Sequence, residues 1–218
     1  MSKKSHVVTL NNIPFTIDPI KVMRSLKINK KIATLDDIEE ESLRNTILNN
    51  IEQGYRLIHP KAVYRTCEIC SVEDEVVTLQ ESATLLRGQS MTKLLSLCKK
   101  VTLLAVTIGD QLEKKVESLG TTSITDGFIL DAVGSTMADY FAQKVDVLIS
   151  SQQILRQGYK PTTRYSPGYG DWSLTNQTEL LTILSADKIG LGVNESCILI
   201  PRKSVTALIG WQEGSEVD

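Results

Sequence analysis

A run of eight residues, 101–108, constrains the fold of this chain more than any other segment. It reads Val-Thr-Leu-Leu-Ala-Val-Thr-Ile, which is apolar on both faces of a strand and predicts a central strand that is covered on both sides. A chain of 218 residues can supply that cover, because folding at this size buries roughly 70% of the surface that the unfolded chain exposes. The run is too short to cross a membrane, and no apolar stretch of about 18 residues occurs, so we expect no transmembrane helix.

The rest of the sequence alternates between helical and extended patterns. Apolar residues at helical spacing predict helices over residues 18–27, 34–53, 90–98, 110–119, 124–150 and 175–185, with Gly54 ending the second helix. Strands are predicted over residues 58–70, 75–79, 101–108, 195–200 and 204–210, the last two forming a hairpin joined at residues 201–203. This mixture predicts an α+β fold: a single helix-rich domain around a central antiparallel sheet, with residues 1–54 as its N-terminal helical segment and 55–218 as its core.

The charge balance excludes several classes of binding protein. Lys and Arg number 24 and Asp and Glu 26, so the formal net charge of −2 does not favour nucleic acid or an anionic membrane as a partner. Aromatic residues are only 5% of the chain, which argues against a stacking platform for single strands. No apolar run of the length of a signal peptide follows the N-terminal lysines, so we expect a cytoplasmic protein.

The cysteines and the common catalytic motifs indicate no resident metal. Cys67 and Cys70 form a single CxxC in a predicted strand, without the second ligand pair that a structural zinc site needs. Reduced thiols are the interpretation that fits best, and a redox role or a shared metal stays open. The chain has no phosphate-binding loop, no HExxH and no GxSxG motif, and Gly109 after the central strand indicates only a turn.

Two segments carry chemistry-bearing residues. The longest predicted helix carries a polar stripe of three residues at four-residue spacing, which are Asp131, Ser135 and Asp139. This stripe is either a solvated face or a surface that contacts a polar ligand. Residues 158–174 form a long loop that holds four of the eleven aromatic residues. In that loop Arg164 offers a fork for a carboxylate and the rings can cover a flat heterocycle. The loop is either a pocket for a small ligand with an anionic and a planar end, or a packed surface loop with Arg164 in a structural ion pair.

The loop also carries a family signature. Arg164-x-Ser166-Pro167-Gly168-Tyr169 resembles the RxSPGY motif of the reactivation domain of cobalamin-dependent methionine synthase. Other segments of the chain resemble segments of that domain, and they occur in the same order along both sequences. These segments are residues 105–109, 130–139, 177–184, 189–196 and 201–205. The resemblance covers roughly residues 55–210.

The resemblance implies both a fold and an activity. The family's domain is an α+β module that binds S-adenosylmethionine and helps to convert inactive cob(II)alamin to methylcobalamin, with an electron from a flavodoxin-type donor. This chain would then be a methyltransferase component of the methionine synthase type. No cobalamin-binding DxHxxG motif occurs, so the cobalamin would be carried by a partner, either a methionine synthase that lacks this module or another corrinoid protein. Reduced cobalamin is itself a strong nucleophile, so we expect no catalytic general base.

The resemblance also assigns binding residues by position. Arg164 would meet the methionine carboxylate of the nucleotide, and Asp139 would face a polar or cationic part of it. Asp18 would match a second acidic contact near the start of the domain, and Glu195 belongs to the matching Glu-Ser pair. The adenosyl part would be held by the rest of the motif, which is Tyr165, Ser166, Pro167, Gly168 and Tyr169.

Two alternatives remain open. Asn194 stands where the family has a threonine, and residues 207–209 are Ala-Leu-Ile where the family often carries aromatic residues. The change at residues 207–209 is the basis of the first alternative, a docking or regulatory module for a corrinoid protein that has lost nucleotide binding. A different corrinoid-linked or small-molecule enzyme that reuses the fold is the other alternative.

Overall fold

The apolar run at residues 101–108 lies in the middle of a seven-stranded sheet. The structure is a computed structural model that describes residues 6–27, 34, 37–38, 40–80 and 85–214. Within them the α-helices are α1 (Pro19–Ser25), α2 (Glu41–Leu57), α3 (Gln89–Leu95), α4 (Gln111–Leu119), α5 (Ile124–Gln157) and α6 (Asn176–Leu184). The strands are β1 (Val8–Asn11), β2 (Lys61–Glu73), β3 (Val76–Leu79), β4 (Leu85–Arg87), β5 (Cys98–Thr107), β6 (Lys160–Pro161), β7 (Gly192–Val193), β8 (Leu199–Ile200) and β9 (Ser204–Gln212).

Every pairing in the main sheet is antiparallel. The strand order is β4-β3-β2-β5-β9-β6, and β1 pairs with the first four residues of β2, on the same edge that β3 pairs with further along. β5 therefore lies between the two long strands β2 and β9, with Ala105 opposite Val63 on one side and Thr206 on the other. β7 and β8 form a separate two-stranded sheet. A central strand that is apolar on both faces needs a long partner strand on each edge, and β2 and β9 supply these partners.

Two hydrophobic clusters cover the two faces of β5, and every residue from Val101 to Ile108 is buried. Leu104 and Val106 pack into the cluster that holds Phe141 of α5, together with α1 and α2. Leu103 and Ala105 face the second cluster, which contains Leu180 of α6 and residues of α3. The prediction of a central strand covered on both sides is confirmed, and the sheet separates α5 from α6.

Gly54 does not end a helix. α2 begins at Glu41 and continues to Leu57, so Gly54 lies inside it, where a Cβ would approach Val133 Cγ1 to 2.8 Å. The glycine is needed because α2 crosses α5 closely at that point, which its local sequence could not reveal. The sequence predicts that the second helix begins at residues 34–37. Thr34 and Asp37 form a turn there instead, in which the Thr34 N–H donates to the Asp37 carboxylate at 2.7 Å. Leu35 and Asp36 lie outside the described residues.

The predicted C-terminal hairpin is wrong. β8 pairs with β7 and not with β9, and β9 pairs with β5 and β6. Asn194 makes the β7–β8 turn, where its side-chain Oδ1 accepts the backbone N–H of Ile198 at 2.9 Å. Two smaller corrections concern helix ends: Cys98 begins β5 instead of ending α3, and α5 extends to Gln157.

The cysteines lie in strands and loops without disulfides. Cys67 is buried and Cys70 is exposed, both in β2 as predicted, and burial raises the pKa of the Cys98 thiol to about 11. Among the described residues no group of three or more His, Cys, Asp and Glu side chains is placed to hold a metal ion. In that same part of the chain no helix has the length and apolar character needed to span a membrane.

Candidate functional site

The loop that carries the RxSPGY motif is attached to the edge of the main sheet. After β6, the Thr162 N–H donates to the Gly210 carbonyl at 2.9 Å, and the Gly210 N–H donates back to the Thr162 hydroxyl at 2.9 Å. Tyr165 and Leu208 then exchange two backbone hydrogen bonds, of 3.0 and 2.8 Å. These contacts fix the backbone on either side of Arg164 against β9. The Arg164 side chain is therefore attached to a segment of backbone that is held in place.

The second half of the motif is a compact turn. The Gly168 N–H donates to the Trp172 carbonyl at 2.8 Å, and Gly168 has a φ of +90°, which favours glycine. The Tyr165 hydroxyl donates to the Tyr169 carbonyl at 2.8 Å, across the turn. The buried Trp172 ring stacks on Tyr165, with ring centroids 5.8 Å apart. The turn is therefore folded on itself, and the Tyr165 and Trp172 rings are structural partners of each other, while Tyr169 is 67% exposed.

Asp171 connects this turn to a neighbouring helix. Its carboxylate accepts the backbone N–H of Ser90 at 3.0 Å, and also that of Gln89, at the start of α3. The Ser90 N–H, an otherwise unpaired donor of the first helical turn, lowers the pKa of the Asp171 carboxyl. Asp171 thus caps α3 from 81 residues away in sequence and ties the turn to the body of the domain.

A cleft of about 480 Å³ opens beside the motif, and we call it the ligand cleft. Its walls come from the loop, from α5, from the start of α6 and from the beginning of β9. The lining residues are Asp139, Arg164, Tyr165, Ser166, Pro167, Tyr169, Gln177, Leu199, Ser204, Val205 and Thr206. The volume lies in the range of small-molecule sites in proteins.

The ligand cleft holds two opposite charges that are available to a ligand. Within residues 6–27, 40–80 and 85–214, no side chain forms an ion pair with the Arg164 guanidinium or with the Asp139 carboxylate. The interpretation of Arg164 as part of a structural ion pair therefore finds no partner among the described residues. A cleft with a free guanidinium, a free carboxylate and ring surfaces suits a ligand with an anionic group, a cationic group and a planar group.

The polar stripe on α5 is divided between two uses. The Lys203 ammonium, buried at the start of β9, contacts the Asp131 carboxylate at 2.8 Å and the Ser135 hydroxyl at 2.8 Å. Asp139, one turn further along, faces the ligand cleft instead. Asp131 and Ser135 hold Lys203 in place, and only Asp139 of the three is positioned for a ligand.

Sequence reasoning missed the polar residue at the base of the cleft. Gln177 is 5% exposed; its Oε1 accepts the Thr206 hydroxyl at 2.8 Å and its Nε2 donates to the Cys197 carbonyl at 3.1 Å. Gln177 thus links α6, β9 and the turn before β8. A glutamine on the apolar face of a predicted helix was the available signal, since a buried amide needs partners.

The structure brings six of the nine predicted binding residues to the ligand cleft: Asp139, Arg164, Tyr165, Ser166, Pro167 and Tyr169. Gly168 shapes the turn between Pro167 and Tyr169 and is not itself a lining residue. Asp18 caps α1, where its carboxylate accepts the Ile20 N–H at 2.9 Å, and Glu195 is exposed in the β7–β8 turn. Neither Asp18 nor Glu195 lines the cleft. The binding roles of all nine residues stay predictions.

Comparison with known proteins finds similarity in structure and not in sequence. No protein-family model matches the chain, and no curated protein matches it. A solved structure with a similar fold is the crystal structure of the MetH reactivation domain bound to AdoHcy, with a TM-score of 0.68 and 13% sequence identity. The match covers 98% of this chain and 80% of that chain. It confirms the predicted fold: a helix-rich α+β domain around an antiparallel sheet, of the reactivation-domain type.

Proposed function

We propose that this chain binds S-adenosylmethionine in the ligand cleft and acts as a component that reactivates a corrinoid methyltransferase of the methionine synthase type. The observation that carries the proposal is the pair of opposite charges on Arg164 and Asp139, which form no ion pair with the described residues and lie beside the rings of Tyr165 and Tyr169. S-adenosylmethionine has a carboxylate, two cationic groups and a planar base. The cleft therefore offers a group of matching chemistry to the carboxylate, to one of the two cationic groups and to the base.

The individual residues take distinct roles in this proposal. Arg164 binds the carboxylate of the methionyl part, for which a guanidinium offers two parallel N–H donors. Asp139 faces the ammonium or the sulfonium. Ser166 supplies a hydroxyl for the ribose or the base, and Thr206, whose hydroxyl proton goes to Gln177, keeps its oxygen lone pairs as acceptors. Pro167 and Leu199 provide apolar surface for the base.

The chemistry needs little from the protein beyond positioning. When bound, S-adenosylmethionine would supply an electrophilic methyl group to the one-electron-reduced corrinoid of the partner chain. The residues of this chain hold the sulfonium end in one orientation and leave it open toward the partner, and no side chain has to accept a proton. The corrinoid carrier and a flavodoxin-like electron donor are the partners that complete the reaction.

The similarity in fold supports the ligand class. The similar domain was crystallised with AdoHcy, which is what S-adenosylmethionine becomes once its methyl group has left. The ligand cleft of this chain is built around the segment that resembles the RxSPGY motif of the family. The fold and the motif together favour a nucleotide-binding component over the docking or regulatory alternative, in which the domain keeps the fold and has lost nucleotide binding.

The proposal is tested by reductive methylation of a separate corrinoid protein. A methionine synthase without a reactivation module, in its cob(II)alamin form, is incubated with methyl-labelled S-adenosylmethionine, a reduced flavodoxin and this protein. We expect label on the corrinoid only when this protein is present. Equal labelling without this protein, or no labelling with it, would contradict the proposal.

Matched variants separate nucleotide binding from docking. Arg164→Ala removes the proposed carboxylate contact and should abolish most of the labelling. Arg202→Ala removes an exposed arginine that does not line the cleft and should leave labelling unchanged. If the partner binds this protein and S-adenosylmethionine does not, the docking or regulatory alternative is correct.

A further inference from the structure

The Lys203 side chain joins two walls of the ligand cleft. Its aliphatic part crosses α5 at Gly134, where a Cβ would lie 3.3 Å from Lys203 Cε. Its ammonium contacts the Asp131 carboxylate and the Ser135 hydroxyl, each at 2.8 Å. α5 therefore forms a slot for this lysine, with a glycine under the aliphatic part and two polar groups at the ammonium.

The slot lies close to the ligand cleft on both sides of the contact. On α5, Asp139 follows Ser135 by four residues, which is about 6 Å along the helix, and Asp139 lines the cleft. In the chain, Lys203 is followed directly by residues 204–206, which line the cleft from β9. Lys203 thus connects the β9 wall to the α5 wall about one helical turn from Asp139.

The two walls have no other polar connection of this kind. Within the described residues, no further hydrogen bond or ion pair joins α5 to residues 201–212. The loop that carries Arg164 is attached to β9 by backbone hydrogen bonds, so Arg164 belongs with the β9 wall. Apolar packing also holds α5 on the sheet, but that packing is non-directional. The contacts of Lys203 therefore fix where Asp139 lies relative to Arg164.

The Lys203 ammonium contributes more to position than to stability. The residue is 8% exposed, and the cost of taking a charge out of water offsets much of its attraction to a carboxylate. Asp131 is half exposed and Ser135 is exposed, so water can replace the ammonium at both. The Lys203 backbone is held independently, because its N–H donates to the Glu113 carboxylate at 2.6 Å and its carbonyl accepts the Ile108 N–H at 3.2 Å.

We propose that Lys203 is a positioning residue that sets the distance between Asp139 and the part of the cleft that carries Arg164. This inference rests on the proposed function and deepens it: a cationic group of the nucleotide reaches Asp139 only while the lysine holds α5 against β9. The carboxylate and the adenosyl part contact the loop and β9, which form one unit. Loss of the ammonium therefore affects the contact with the cationic group and spares the rest of the ligand.

Titration calorimetry with two nucleosides tests this role. S-adenosylmethionine carries the cationic groups and 5′-methylthioadenosine carries none. We expect Lys203→Met to weaken S-adenosylmethionine by about tenfold, the scale of one charge-assisted hydrogen bond, and to leave methylthioadenosine unchanged. The variant should melt within about 4 °C of the wild type. Lys114→Met is the matched control, because Lys114 forms an exposed ion pair with Asp110 outside the cleft, and it should change neither affinity.

A double-mutant cycle shows whether Lys203 acts through Asp139. Asp139→Asn removes the carboxylate that the lysine is proposed to position. Lys203→Met should therefore weaken S-adenosylmethionine by about tenfold in the wild-type background and by less than about twofold in the Asp139→Asn background. A full tenfold loss in both backgrounds would overturn the positioning role.

The possible outcomes distinguish this inference from the proposed function. If the wild type binds both nucleosides and Lys203→Met binds both equally well, weakens both equally or does not fold, the positioning role is overturned while the nucleotide-binding function stands. If the wild type binds neither nucleoside, the proposed function fails and the positioning role fails with it. A selective loss for S-adenosylmethionine in Lys203→Met that Lys114→Met does not share, and that disappears in Asp139→Asn, supports the positioning role.

Discussion

The Tyr165 ring stacks on the Trp172 indole with an interplanar angle of 7° and a centroid distance of 5.8 Å. The two residues lie at opposite ends of the turn that follows Arg164, and Trp172 is 1% exposed. One of the rings that the sequence suggested for a ligand is therefore a structural part of the loop. Trp172 is the internal support of the site, while Tyr165 both packs on it and lines the cleft.

Truncation of Trp172 should unfold the motif and weaken the whole domain. Trp172→Ala removes a fully buried ring from the second hydrophobic cluster, so we expect a loss of about 3–5 kcal/mol in the free energy of unfolding. Urea denaturation measures this loss. A loss below about 1 kcal/mol would show that the turn does not depend on the stack.

Trp172→Phe is the matched variant for that experiment. The indole N–H is buried and has no hydrogen-bond partner among the described residues, so phenylalanine removes an unsatisfied donor together with part of the ring. The two effects oppose each other. We expect a change of less than about 1.5 kcal/mol, far smaller than for alanine.

Two glycines of α5 should respond to alanine with opposite signs. At Gly134 a Cβ would lie 2.5 Å from Leu112 Cδ2, so Gly134→Ala should destabilise the domain by about 1–3 kcal/mol through overpacking against α4. At Gly127 the nearest atom is Leu119 Cβ at 3.4 Å, an ordinary contact. Gly127→Ala should stabilise the helix by up to about 1 kcal/mol. Thermal and urea unfolding of both variants decide this, and equal signs would be inconsistent with the packing described.

The capping of α3 by Asp171 makes part of the stability depend on pH. The backbone N–H of Ser90 holds the pKa of the Asp171 carboxyl below its usual value of 3.8. A carboxyl with a lowered folded-state pKa contributes stability above its unfolded-state pKa, and that contribution is lost as the pH falls through the folded-state value. The difference in unfolding free energy between wild type and Asp171→Asn should therefore be largest near neutral pH and shrink below pH about 4. If the difference in unfolding free energy between the two proteins is independent of pH, the charge of the Asp171 carboxylate does not contribute to the stability.

The central strand and the motif loop were predictable because their signals are local. An apolar run with no polar face can only be a covered strand or a buried helix, and eight residues favour the strand. The loop carries its chemistry in adjacent residues, from Arg164 to Tyr169. Both features were visible without any knowledge of distant contacts.

The errors and omissions involve partners that are far away in sequence. Residues 195–200 and 204–210 look like a hairpin, but β9 finds a longer partner in β5, about 100 residues earlier in the chain. Gln177 and Lys203 contact groups 20 to 90 residues away. The local sequence can indicate that the buried Gln177 amide needs partners, but it does not identify those partners. Gly54 carries the same lesson, because a glycine at a helix end and a glycine at a helix crossing have the same local sequence.

Binding of S-adenosylhomocysteine to wild type and to Arg164→Gln tests the central claim most directly. We expect titration calorimetry to show one site in the wild type and an affinity lower by about 10- to 100-fold in Arg164→Gln, because a charged hydrogen-bonding partner of the carboxylate is lost. Arg202→Gln, an exposed arginine outside the cleft, should bind as the wild type does. Wild-type affinity in Arg164→Gln, or no binding by the wild type, would contradict the account.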